Sequence, residues 1–162
     1  MAPERPTDGA TTDRATARRS DLLAIGGYAD RGWAEDYDLL LRLHVAGHRM
    51  AKVPEVLHDW REGPSRLTRT DPRYSVENFL RAKAHYLIQG PLETDRTCII
   101  WGAGQMGRRL SKHLVRAGVS IVAFVDIDPK KIGNTRRDAP IIAPDDLGDT
   151  RSRAGNPMVL AA

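Results

Sequence analysis

Along the first half of the chain, apolar residues recur at helical spacing. From Glu35 onward, Leu39, Leu40 and Leu43 share one side of a predicted helix, and Gly47 supplies the left-handed residue that stops it. Arg49 to Val53 alternates as a short strand would and is closed by Pro54. A second apolar pair, Val56-Leu57, leads into His58-Asp59-Trp60-Arg61, and Glu62 to Thr70 reads as an Arg-rich loop. Asp71-Pro72 reads as an N-cap with proline in the first turn, where its missing N–H costs nothing. That helix carries Val76, Phe79, Leu80, Lys83, Ala84 and Leu87 along one side and ends at Gly90-Pro91.

From Thr97 the period changes. Thr97 to Trp101 is a continuous apolar strand, Gln105 to Ala117 a helix, and Val119 to Val125 a second apolar strand. Continuous rather than alternating hydrophobicity predicts strands covered on both faces, as in a parallel sheet. A third strand is expected at Ile141-Ile142, a helical turn after Pro144, and a fourth strand from Met158 to Ala162. The predicted class is therefore α/β. Its expected divisions are a disordered lead-in (1–18), a first segment (19–90), a linker (91–96) and a strand–helix–strand unit (97–162).

Composition narrows the picture without naming a function. Hydrophobic residues make up 41% of the 162 and charged residues 28%, the balance of a folded globular chain. A formal charge of +4, with no dense Lys/Arg stripe and no interleaved aromatics, favours a small anionic ligand over nucleic acid. Cys98 is the one cysteine, so no intrachain disulfide forms and a reducing cytoplasm fits. No apolar run approaches the roughly 20 residues that cross a bilayer, and the N-terminus has no apolar signal-peptide centre. The expected location is the cytoplasm, either free or at the inner membrane surface.

Two motifs carry chemistry. Gly102-Ala103-Gly104-Gln105-Met106-Gly107 has the G-x-G-x-x-G spacing between a strand and a helix, and the next strand ends in Asp126. Gly102 would permit the tight turn, Gly104 the approach of a pyrophosphate, and Gly107 close packing of helix on strand. Asp126 would accept hydrogen bonds from a ribose hydroxyl. The plainer reading is a tight strand-to-helix turn without a ligand. NAD or another nucleotide is the cofactor this motif admits. Hydride-transfer chemistry is not expected, because no His, Lys or Tyr is placed to serve it. Val122 to Pro129 also looks like the N-terminal domain of sugar acyltransferases of the sialic-acid and bacillosamine type, where this fold serves nucleotide-sugar or regulatory roles.

The second motif is Glu35-Asp36-Tyr37-Asp38. Carboxylates at a helix start are ordinary, since they stabilise its positive end by about 0.3–1 kcal/mol each. In order with Gly26-Gly27-Tyr28, Leu41-Arg42-Leu43, Gly47, Pro54 and Trp60-Arg61, however, the stretch from Arg18 to Leu87 resembles the C-terminal, acceptor-side half of family 2 glycosyltransferases of the GT-A type. The resemblance implies that Asp36 is the general base that deprotonates an acceptor hydroxyl, with Glu35 holding the acceptor or its loop. It implies that Trp60 and Arg61 bind substrate, and that Arg61, with Arg66 or Arg69, neutralises the departing diphosphate. The plainer reading of Arg66, Arg69 and Arg73 is a solvated basic loop.

The resemblance further implies a nucleotide-sugar donor, a glycan or lipid-linked acceptor, inversion at the anomeric carbon, and a divalent Mg or Mn cation. The family's donor-binding half with its Asp-x-Asp motif is not found upstream of Ser20. The expectation is thus a partial GT-A segment joined to a truncated Rossmann-like unit. Such a chain would be inactive alone in sugar transfer, with exposed strand edges that invite association. The alternative function is a Rossmann-type nucleotide- or nucleotide-sugar-binding regulatory module.

Overall fold

The computed structural model describes residues 17–51, 54, 63 and 65–162. Among the described residues six α-helices and five strands follow in order: α1 Arg19–Ala24, α2 Glu35–Val45, α3 Leu67–Thr70, α4 Val76–Gln89, β1 Thr97–Trp101, α5 Gln105–Arg116, β2 Ser120–Val125, β3 Thr135–Arg136, β4 Ala139–Ile142, α6 Leu147–Arg153 and β5 Met158–Ala161. The fold is mixed α/β. The strands form one sheet in the order β3-β4-β2-β1-β5, parallel throughout except that β3 runs antiparallel to β4. The parallel strands thus lie third, second, first, fourth, the arrangement of the opening half of a doubly wound sheet.

Both faces of the sheet are covered, as the continuous apolar strands require. On one face Cys98, Ile100, Phe124 and Leu160 pack with Leu110 and Leu114 of α5 and with Leu80 and Ala84 of α4. On the other, Ile99, Ala123 and Val125 meet Leu147 at the start of α6. Cys98 is fully buried, and burial, with Asp95 nearby, pushes its thiol up to about 12, so it is an inert core residue.

Helix α4 belongs to two neighbourhoods. Its other side packs on α2, where Ala82 and Tyr86 meet Trp33 and, at the edge, Tyr37 and Leu41. Leu92, in the expected linker, is almost wholly buried in the core of the sheet. Packing is therefore continuous across the boundary that composition marks at 91–96.

Several boundaries differ from the sequence-based expectation. The helix expected from Asp71-Pro72 begins instead at Val76, capped by the Ser75 hydroxyl, which accepts from Asn78 N–H. Asp71 and Pro72 open a separate 3₁₀ turn, Pro72–Tyr74. Local capping chemistry at Asp71 ends one turn there, and Ser75, in extended geometry, starts the next. Residues 67–70, expected as loop, form α3. Residues 49–51 are not strand, and the rest of the strand expected over 49–53 lies outside the described residues, as do Val56, Leu57 and residues 1–16 of the expected lead-in. Arg19–Ala24 and the hairpin strand β3 carry too few residues for a periodicity to register.

Candidate functional site

The glycine turn leaves the C-terminal end of β1. Gly102 adopts φ +112°, a conformation that side-chain-bearing residues avoid, and a Cβ there would also sit 3.2 Å from the Ala162 carbonyl oxygen. Gly107 lies on α5 where a Cβ would fall 1.8 Å from the Gly102 carbonyl oxygen and 3.3 Å from Ile100 Cγ2. Both glycines thus have a reason inside the protein. Gly104 has none: its φ is an ordinary −77°, and nothing lies within 4 Å of a built Cβ. It stands at the N-cap of α5 with no side-chain cap, ahead of the first N–H groups of a twelve-residue helix.

Chain direction across the sheet reverses beside the turn. β1 passes through α5 to β2 and on to β4 on one side, while α6 returns the chain to β5 on the other. The crevice at the carboxyl ends of β1 and β5 is therefore a topological switch point, where open α/β sheets place their ligands.

Asp126 follows β2 and is buried against this turn. Its Oδ2 accepts from Ala103 N–H at 2.9 Å and from Lys131 Nζ at 3.1 Å, and its Oδ1 from Asp128 N–H at 3.0 Å and from Lys131 Nζ at 3.3 Å. The Asp128 amide, the Lys131 ammonium and the Ala103 amide together outweigh the upward push of burial and hold the carboxyl below its usual range. The residue read from sequence as a ribose acceptor thus spends its lone pairs on tying the β2–β3 connection to the glycine turn. Lys131, which closes this knot, was not legible as a site residue.

The acidic helix start gives its carboxylates three different environments. Asp36 is exposed, with Oδ1 accepting from Tyr37 N–H at 2.7 Å. Glu35 accepts from the Tyr74 hydroxyl at 2.9 Å, with Arg73 Nη1 at 3.9 Å from its other oxygen, and burial with this hydrogen bond pushes the phenol up to about 12. Asp38 is fully buried. Its Oδ1 accepts from the Trp33 indole at 2.8 Å and the Tyr86 hydroxyl at 2.6 Å, and its Oδ2 from Arg42 Nε at 2.7 Å. Arg42 in turn donates to the carbonyls of Ile25 at 2.7 Å and Gly27 at 2.5 Å, which anchors the Gly26-Gly27 turn to α2. Burial alone would raise the Asp38 carboxyl, but the Tyr86, Trp33 and Arg42 donors and the Arg42 charge prevail and lower it.

Of the residues expected from sequence, half-buried Glu35 and exposed Asp36 share the start of α2, and Gly102, Gly104, Gly107 and Asp126 come together at the turn. Trp60, Arg61 and His58 lie outside the described residues. Tyr74 and Arg73, which join Glu35 from across the chain, gave no signal because their partner is far away in sequence. Among the described residues no group of three or more His, Cys, Asp or Glu side chains is placed to hold a metal ion. No helix among them is long and apolar enough to cross a membrane.

A family model described as C2185-like, N-terminal, matches residues 94–151. The matched stretch holds the glycine turn, Asp126 and Lys131, and stops short of β5. No curated protein and no solved structure matches the chain.

Proposed function

We propose that the chain is a nucleotide-binding module of Rossmann type, which takes a phosphate-bearing ligand at the Gly102–Gly107 turn. The observation that carries this reading is Gly104. The fold accounts for the other two glycines, whereas Gly104 meets nothing within 4 Å and has an unstrained φ, so an approaching ligand supplies the reason for a missing side chain. The N–H groups at the start of α5 and the partial positive charge of the helix suit an oxyanion there. Calorimetric titration with UDP, a UDP-sugar, a GDP-sugar and NAD, each with and without manganese, tests the reading. Gly104→Arg is expected to weaken binding by at least about tenfold while leaving the melting temperature within about 2 °C, since the position is open. Wild-type affinity in that variant would remove the site.

A second reading keeps the family 2 glycosyltransferase resemblance of residues 18–87. It is supported by the pairing of an exposed Asp36 with a Glu35 held by Tyr74, which leaves one carboxylate free to meet an acceptor while the other is steadied. On this reading the segment derives from a transferase that moves a sugar from a nucleotide donor to a hydroxyl. The cation would belong to the donor diphosphate. Binding of a UDP-sugar that requires manganese and drops about tenfold in Asp36→Asn or Arg61→Ala is the expected result. Binding indifferent to manganese and to both substitutions would end this reading.

A further inference from the structure

Helix α5 turns a cationic face away from the sheet. At about 100° per residue, Arg108, Arg109, Lys112 and Arg116 fall within about 100° of one another, opposite the buried Gly107, Leu110, Ser111 and Leu114. Arg108 and Arg116 are exposed, Arg109 and Lys112 half-buried, and the helix contains no Asp or Glu. The β3–β4 turn adds two more cations. Arg137 holds φ +51°, a conformation that is costly for a residue with a side chain. Its guanidinium lies along α5, donating from Nε to the Ser111 hydroxyl at 2.9 Å and from Nη2 to the Arg108 carbonyl at 3.4 Å. Arg136 pairs in register with Ala139, which shares a core with Leu110 and Leu114, so its side chain leaves the same side of the sheet. Its Nε is buried without a hydrogen-bond partner among the described residues.

This segregation of charge stands out against the rest of the chain. Lys and Arg number 25 against 21 Asp and Glu, close to balance, and elsewhere cations take carboxylates: Arg42 takes Asp38, Arg73 Asp71 and Lys131 Asp126. Among the described residues none of these six cations makes an ion pair. The one ion pair of α5 joins His113 to Glu77 on the side that meets α4. Along the helix, Arg108, Lys112 and Arg116 stand four residues apart, a spacing at which like charges destabilise. Across the sheet the balance differs, since Asp145, Asp146 and Asp149 offset Arg151 and Arg153. The positive field therefore leaves the molecule on the α5 side, and an outside polyanion relieves the repulsion there.

We propose that the outward face of α5, with Arg136 and Arg137 beside it, docks the chain on an anionic lipid surface. A helix face with four to eight Lys and Arg attracts anionic headgroups, each cation raising affinity about fivefold. Two observations favour lipid over nucleic acid. Single strands are gripped by cations together with rings on which bases stack, and neither α5 nor residues 135–142 include a Phe, Tyr or Trp. Met106 and Val115, 41% and 42% exposed, flank the cations instead, and apolar side chains beside cations suit the boundary between headgroups and acyl chains. The proposal is independent of a ligand at the glycine turn.

The test floats the full chain with phosphatidylcholine vesicles, with and without about 30% phosphatidylserine, and titrates it with a single-stranded RNA. Binding is expected only to the vesicles with phosphatidylserine and is expected to fall steeply between about 0.05 and 0.5 M salt. Arg116→Gln should weaken it about fivefold and Lys112→Gln/Arg116→Gln about 25-fold. Arg153→Gln, which removes the same charge from α6 across the sheet, should stay within about twofold of wild type. Melting temperatures of the α5 variants should equal or exceed that of wild type, because a like-charge contact is removed. A wild-type chain that does not float with the anionic vesicles overturns the proposal. So does equal loss in Arg153→Gln and Arg116→Gln, which would make net charge the cause, or binding indifferent to salt or to phosphatidylserine. Binding to the RNA more than tenfold tighter than to the vesicles would assign the face to nucleic acid and overturn the lipid surface.

Discussion

Replacing Asp38 with asparagine is expected to lower stability by about 3–5 kcal/mol, the cost of removing one partner from a buried ion pair. The side chain has no exposure and receives three hydrogen bonds, from Trp33, Tyr86 and Arg42. Asparagine keeps the shape but presents at most one carbonyl oxygen, so the buried Arg42 guanidinium loses its counter-charge. Set against the 5–15 kcal/mol that holds a domain together, such a loss is a large fraction. It should appear as a melting temperature roughly 10 °C lower. The damage should spread, because Arg42 also holds the Ile25 and Gly27 carbonyls and Tyr86 ties α4 to α2.

The same substitution makes a statement about pH. The Asp38 carboxyl is lowered in the folded state, so its contribution is complete above the ordinary aspartate value of about 3.9 and is lost as pH falls through its folded value. The gap between wild type and Asp38→Asn should therefore be constant near neutrality and narrow in acid. Melting by circular dichroism from pH 7 down to pH 3 reads both features. A variant that melts with the wild type at pH 7 would show that the network holds nothing.

That network also marks the limit of what spacing can tell. Glu35-Asp36-Tyr37-Asp38 stands out in the sequence as an acidic helix start, and α2 does begin at Glu35. Spacing cannot say which carboxylate turns inward, because the donors that make Asp38 a core residue come from Trp33 and from Tyr86 on another helix. The strand–helix–strand unit was more legible: β1, α5 and β2 fall within a residue of their expected limits, since continuous apolar runs and a glycine turn are local signals. The roles within it were less so. Asp126 sits where an acceptor was expected, but Lys131 and the backbone around it decide what the carboxylate does.

Gly107→Ala is the second substitution expected to act strongly, and its comparison with Gly104→Ala separates packing from binding. A Cβ at Gly107 would lie 1.8 Å from the Gly102 carbonyl oxygen. That neighbour is backbone in the tight turn itself, so no side-chain rotation relieves the clash, and α5 must move off β1. Overpacking of this kind costs about 1–3 kcal/mol and occasionally more; the rigidity of the turn argues for the upper end, a fall of roughly 6–12 °C in melting temperature. Gly104→Ala meets nothing within 4 Å at an ordinary φ, and its stability should stay within about 0.5 kcal/mol of wild type. If the turn receives a phosphate, both variants lose affinity, Gly107→Ala because the turn is displaced and Gly104→Ala because the added methyl meets the ligand. Thermal melting and pyrophosphate titration of the two variants side by side give the answer. Equal melting temperatures would mean that α5 does not approach β1 as closely as described. A Gly104→Ala variant with full affinity would leave Gly104 without a ligand to explain it.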